Sequence, residues 1–182
     1  AIDKLRGFID ETVSDLLTKA ADSDHLDIVT DFGYRLPLLV IAELLGLTDV
    51  DIEKLRSWSN TWGDIVASFG HLPDDSERQA AVVEELVDYL NFVIADHRSH
   101  PREDVTSSLL ESVDAGALST DEVIANLMIL ITGGHETTAN LISGTMLTLL
   151  LREDLARRLR TAPELLPTAI EEFLRYDSPT QY

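Results

Sequence analysis

The 182 residues carry 33 acidic side chains against 14 lysines and arginines, a formal net charge of −19. That balance argues against nucleic acid or an anionic membrane as a partner, since both demand basic surface. Cysteine is absent, so a disulfide framework is excluded, while 45% hydrophobic residues, 6% aromatics and a mean hydropathy of +0.03 fit a soluble, helix-rich chain.

The length suffices to bury a core and suggests one domain or part of a larger one. No signal peptide or anchor is visible at Ala1-Ile2-Asp3, and a cytoplasmic location is expected. Ile2 to Ala20 places Leu5, Phe8, Ile9, Val13, Leu16 and Leu17 at helical spacing, with a charged outer face. Asp22-Ser23-Asp24-His25 reads as a loop; it lacks the glycine and the terminal acid of a calcium loop. Leu26 to Phe32 reads as an extended lead-in. Tyr34 to Leu47 is a buried helix closed by Gly46. Asp49-Val50-Asp51 caps a helix to about Ala67, whose Trp58 and Trp62 fit packing better than a cofactor box.

Ser68 to Ser76, with Gly70, Pro73 and two aspartates, is the clearest internal loop, and Glu77 to His97 follows as a long amphipathic helix. His97-Arg98-Ser99-His100 invites a metal reading, but the two histidines fall before Pro101 with no acid placed to complete a site. A solvated turn is the expectation, and no metal site is assigned. Arg102 to Leu118 holds a short helix and a loop ending at Gly116, Glu153 to Arg160 is a short basic helix, and Pro167 starts a last helix that Asp177-Ser178-Pro179 ends. Little strand is expected, and there is no repeat, low-complexity tract or linker.

The stretch from Ser119 to Arg152 organises the rest. Ser119 with Glu122 three residues on is a capping-box start, and Arg152 suits the negative end of the helix dipole. The apolar residues between them leave no wide polar face, so the helix is expected to be buried on all sides. Its middle, Thr132-Gly133-Gly134-His135-Glu136-Thr137-Thr138-Ala139-Asn140, breaks helix rules. Two glycines each cost about 1 kcal/mol relative to alanine, and a carboxylate is expensive to bury alone. Gly133 and Thr137 share a face, so bare backbone lies one turn before a hydroxyl, with the acid of Glu136 alongside. The residues leave two readings open: a small-ligand site with proton-moving groups, or glycines for close helix packing with threonines bonded to their own backbone. H-E-x-x-H zinc chemistry is excluded because the second histidine is missing, and His135, Glu136 and Asn140 at the centre argue against a membrane span.

Gly133-Gly134-His135-Glu136-Thr137-Thr138 resembles the oxygen-activation motif, [A/G]-G-x-[D/E]-T-[T/S], of the cytochrome P450 monooxygenases. Glu172 and Arg175 follow as that family's E-x-x-R, and the two motifs in order are far more specific than either alone. The resemblance, to soluble bacterial members, extends over the whole chain. It implies an all-α, partial P450 fold with very little strand, helices packed around one long central helix, and residues 1–182 as a single, incomplete central part of a P450 domain.

The resemblance implies haem b as cofactor, although the axial cysteine of the family is absent from this chain. Gly133 and Gly134 would face the distal side, Thr137 would donate a hydrogen bond there and steer a proton, and Glu136 would connect the site to bulk water. Ile129 and Thr132 would line the substrate, and Glu172 and Arg175 would form a structural ion pair. The implied activity is insertion of one oxygen atom of O2 into a small organic substrate, with a ferredoxin-type redox partner. This chain alone is expected to be inactive and to self-associate through an uncovered haem-side surface. The alternative is a non-catalytic helical binding protein that keeps the scaffold.

Overall fold

Residues 2–21, 25–47, 49–68 and 76–180 are described by the computed structural model. Eight α-helices run through them: α1 Ile2–Ala21, α2 Arg35–Leu45, α3 Ile52–Ala67, α4 Ser76–Ser99, α5 Val105–Asp114, α6 Thr120–Leu151, α7 Glu153–Thr161 and α8 Leu166–Tyr176. Among the described residues there is no strand, as expected of an all-α chain. The loop residues 22–24 and 69–75 lie outside the described residues.

Local sequence sets most boundaries. Asp51 caps α3 by accepting from the Glu53 and Lys54 amides, and Ser119 and Glu122 form the capping box of α6. Gly46 ends α2 at φ 65°, the left-handed conformation that a C-terminal glycine adopts without a Cβ penalty. Leu26 to Phe32, expected to be extended, is instead partly wound into a π-helical turn over Ile28–Gly33. Asp27 nucleates it by accepting from the Val29 and Thr30 amides, bonds that hold its carboxyl below the ordinary range. Gly33 is needed there, because a Cβ would stand 3.0 Å from Ser143 Oγ on α6.

The core joins Leu38, Ile41 and Leu45 of α2, Leu55 and Trp58 of α3, Leu86, Leu90 and Val93 of α4, Leu110 of α5, and Val123, Leu127 and Ile131 of α6. Trp58 packs as expected, donating to Glu85 at 3.3 Å and lying 5.2 Å from the Tyr89 ring. Burial pushes the Tyr89 phenol up to about 12.

The central helix is not buried on all sides. Its buried residues form a single stripe, Val123, Ile124, Leu127, Met128, Ile131, His135 and Ala139, and none beyond Ala139 is fully buried. The reason is coverage: α2 to α5 and the Ile28–Gly33 turn pack against one side of α6, the turn reaching Ser143, and the short α7 and α8 add little beyond it. Leu147, Leu150 and Leu151 on α6, and Ile170, Leu174 and Tyr176 on α8, are exposed.

His97 is a second correction. It is no solvated turn residue but fully buried inside α4. Its Nδ1 lies 2.8 Å from the Val93 carbonyl and its Nε2 2.8 Å from the carboxylate of Asp104, which also caps α5 by accepting from the Ser107 amide. His100 alone is exposed as expected. The sequence signal was weak because the partner acid arrives seven residues later, after a chain reversal. Among the described residues no cluster of histidine and acid could hold a metal ion.

Candidate functional site

The polar patch of α6 is placed by what surrounds it, and the two glycines divide. A Cβ built at Gly134 would stand 3.0 Å from Ile41 Cδ1, so this glycine lets α2 pack closely against α6. A Cβ at Gly133 would meet nothing within 4 Å. Gly133 therefore leaves a bare, open strip, and Ile129, one turn earlier, is 54% exposed.

One turn later Thr137 Oγ1 donates to the Gly133 carbonyl at 2.8 Å. The threonine is thus bonded to its own backbone, and open space lies beside it. The hydroxyl keeps lone pairs for a further donor.

Glu136 and Thr137 line a cleft of about 470 Å³ with Asn140, Ala67 at the end of α3, and Asp177, Ser178, Pro179 and Thr180 after α8. Asn140 reaches the Pro179 carbonyl at 3.4 Å and ties the far wall to α6. Asp177-Ser178-Pro179 therefore does more than stop α8, and Asn140 joins the site without belonging to the Gly133–Thr138 motif. The polar position of Asn140 one turn after Glu136 was the available signal. The loop carried none, because its approach to α6 is a tertiary event.

Thr132 turns away from the open strip. Its methyl lies 3.3 Å from where a Cβ of Gly63 on α3 would be, and its buried hydroxyl has no hydrogen-bond partner. His135 is fully buried on the same side, with Nδ1 3.1 Å from Ser59 Oγ of α3 and its ring 5.3 Å from that of Tyr34. The Arg56 guanidinium lies over the Tyr34 ring at 4.3 Å. Burial, reinforced by the Arg56 charge, pulls the His135 pKa down to about 4, so the ring is neutral at physiological pH. Glu172 and Arg175 pair through two hydrogen bonds of 2.8 and 2.6 Å, both groups being exposed. Such a pair contributes little by itself.

The match to known proteins follows this geometry. A family model described as Cytochrome P450 matches residues 50–165, from the cap of α3 to the turn before α8. The chain belongs to the cytochrome P450 family. Cytochrome P450 107B1 of Saccharopolyspora erythraea is 41% identical over 179 residues, which cover 98% of this chain and 42% of that protein. The vitamin D(3) 25-hydroxylase of Pseudonocardia autotrophica is 34% identical, across 98% of this chain and 43% of that one. P450BioI, solved in complex with an acyl carrier protein ligated to hexadec-9Z-enoic acid, superposes with a TM-score of 0.89 at 32% identity, over 98% of this chain and 46% of that one.

The chain thus spans less than half the length of the relatives it matches. P450s bind haem through a cysteine thiolate, and no cysteine occurs among these 182 residues. Among the described residues no helix is long and apolar enough to cross a membrane.

Proposed function

We propose that this chain forms the distal wall and substrate cleft of a haem monooxygenase that inserts one oxygen atom of O2 into a small organic substrate. The observation that carries the reading is the open strip at Gly133, bordered by Ile129 on one turn and by the Thr137 hydroxyl on the next. A flat macrocycle fits against a helix face only where no side chain stands in its way, and this face meets that requirement. When bound, haem supplies the activation of dioxygen. Its thiolate has to come from outside these residues, so the 182 residues by themselves take haem loosely and are inactive.

The chain's own groups then have separable roles. Gly133 keeps the strip clear, and Ile129 offers apolar surface to substrate. Thr137 holds its proton against the Gly133 carbonyl, where rotation about one bond redirects it towards the open side. Glu136, exposed at the cleft mouth, exchanges protons with water and passes them inwards. Thr132, whose methyl packs toward Gly63 of α3, and Gly134, which seats α6 against Ile41, serve the site indirectly. Glu172 and Arg175 brace α8, and the family's ferredoxin-type partner would supply electrons. Relatives named for vitamin D(3) and for a fatty-acyl carrier support an apolar organic substrate.

The test is an absorption titration of the chain with haemin, reduced under carbon monoxide, beside Gly133→Val. The reading expects loose haem uptake without a thiolate-type Soret band, weakened several-fold when valine fills the strip. Uptake that ignores Gly133→Val would overturn it.

A further inference from the structure

The proposed chemistry assigns His135 no task, yet it is the most buried polar side chain of the α6 patch. Its Nδ1 meets Ser59 Oγ, itself buried, at 3.1 Å, while its Nε2 is buried without a partner. An apolar side chain of similar size would fill the space without orphaning a polar atom. The histidine therefore does something that packing alone does not require.

Ser59 begins a small-residue stripe on α3. Gly63, one turn on, lets α3 approach α6 so closely that its missing Cβ would lie 3.6 Å from Glu136 Oε2 and 3.3 Å from the Thr132 methyl. Ala67, another turn on, is the α3 residue in the cleft wall opposite Glu136, Thr137 and Asn140. Between the Ser59 contact and the cleft no large side chain on this stripe spaces the two helices.

We propose that His135 is a positioning residue: its hydrogen bond to Ser59 clamps α3 onto α6 and sets the width of the cleft in which Glu136 and Thr137 work. The Tyr34 ring against one side of the imidazole holds the ring in place for that bond. Loss of the clamp lets the end of α3 swing, which moves Ala67 relative to Asn140 while the core around Leu55 and Trp58 stays packed. The functional weight of this clamp rests on the cleft being the substrate site, as proposed above.

The test reads the clamp without haem or substrate. Ala67→Cys and Asn140→Cys, both at exposed positions of a chain with no cysteine of its own, carry spin labels whose separation is measured by electron paramagnetic resonance. The same distance is then measured with Ser59→Ala, with His135→Phe, and with His135→Asn, which keeps a polar atom near the place of Nδ1. Hydrogen exchange of the amides from Ser59 to Ala67 is followed in unlabelled chains. Ser59→Ala and His135→Phe should each broaden the distance distribution and speed exchange at those amides about three- to tenfold. The double variant should go no further than either single one, and His135→Asn should restore most of the protection.

An unchanged distribution with Ser59→Ala would overturn the proposal, as would exchange rising equally in α4 and α5. Should His135→Phe fail to fold, Ser59→Ala decides alone. A failed haemin titration would remove the proposed function and leave this result standing, so the two failures are distinguishable.

Discussion

Single side chains on α6 separate what stabilises the helix from what the site requires. Gly133→Ala adds a methyl into open space and restores helix propensity, so it should stabilise the chain by about 1 kcal/mol, read from denaturant unfolding. The same change should weaken haemin uptake. Gly134→Ala gains the same propensity but presses on Ile41 inside the core, and should lower stability by about 1 kcal/mol. Equal effects at the two glycines would contradict the division between an open and a packed face.

His135 makes a pH prediction at the same scale. Its folded pKa is about 4, below the 6.5 of an unfolded histidine, so below pH 6.5 the unfolded state binds the extra proton. The stability held at neutral pH is therefore lost as pH falls from 6.5 towards 4, at up to roughly 1.4 kcal/mol per pH unit from this group. Carboxylates add their own acid dependence. The difference between the parent chain and His135→Phe isolates the histidine, and melting temperatures from pH 7 to pH 4 should converge as the pH drops. Parallel curves would show that His135 does not titrate in this window.

Between elements, the junction of α2, α4 and α5 turns on Gly46. Its φ of 65° disfavours any side chain, and a Cβ there would strike the Asp104 carboxylate and stand 2.7 Å from His97 Nε2. Gly46→Ala should cost about 2–4 kcal/mol, through backbone strain together with disruption of a buried polar pair. Asp104→Ala should cost about 3 kcal/mol, since it removes both the cap of α5 and the partner of a buried histidine. Thermal or urea unfolding checks both, and a loss below about 1 kcal/mol in either would show that the junction relaxes freely. The helices themselves were legible in the sequence because caps such as Asp51 and the Ser119–Glu122 box are local events. The π-helical turn was not, because an Asp27-capped turn and an extended strand lead-in share the same apolar spacing over six residues.

At the scale of the molecule, apolar residues stay uncovered on the last third of α6 and on α8, beside a net charge of −19. Exposed apolar surface favours self-association and like charge opposes it. Raising salt from roughly 0.05 M to roughly 0.5 M shortens the Debye length from about 14 Å to about 4 Å and should shift the balance towards dimers. Sedimentation velocity should show the average mass rising with salt; a monomer at both salt concentrations would mean the uncovered patches are too small to pair.

The sequence by itself determined what is short-ranged: the helix boundaries, the all-α class, and the motif pair Gly133–Thr138 and Glu172–Arg175, whose order already pointed to the P450s. Each of these is written within a few residues, in caps, in apolar period and in spacing. Only the tertiary structure decided which glycine opens to the surface and which packs, that Thr132 and His135 face α3, that His97 is buried against Asp104, and that α6 is covered on one side alone. These depend on which elements come to rest against a given face, a matter settled by packing between segments far apart in the chain.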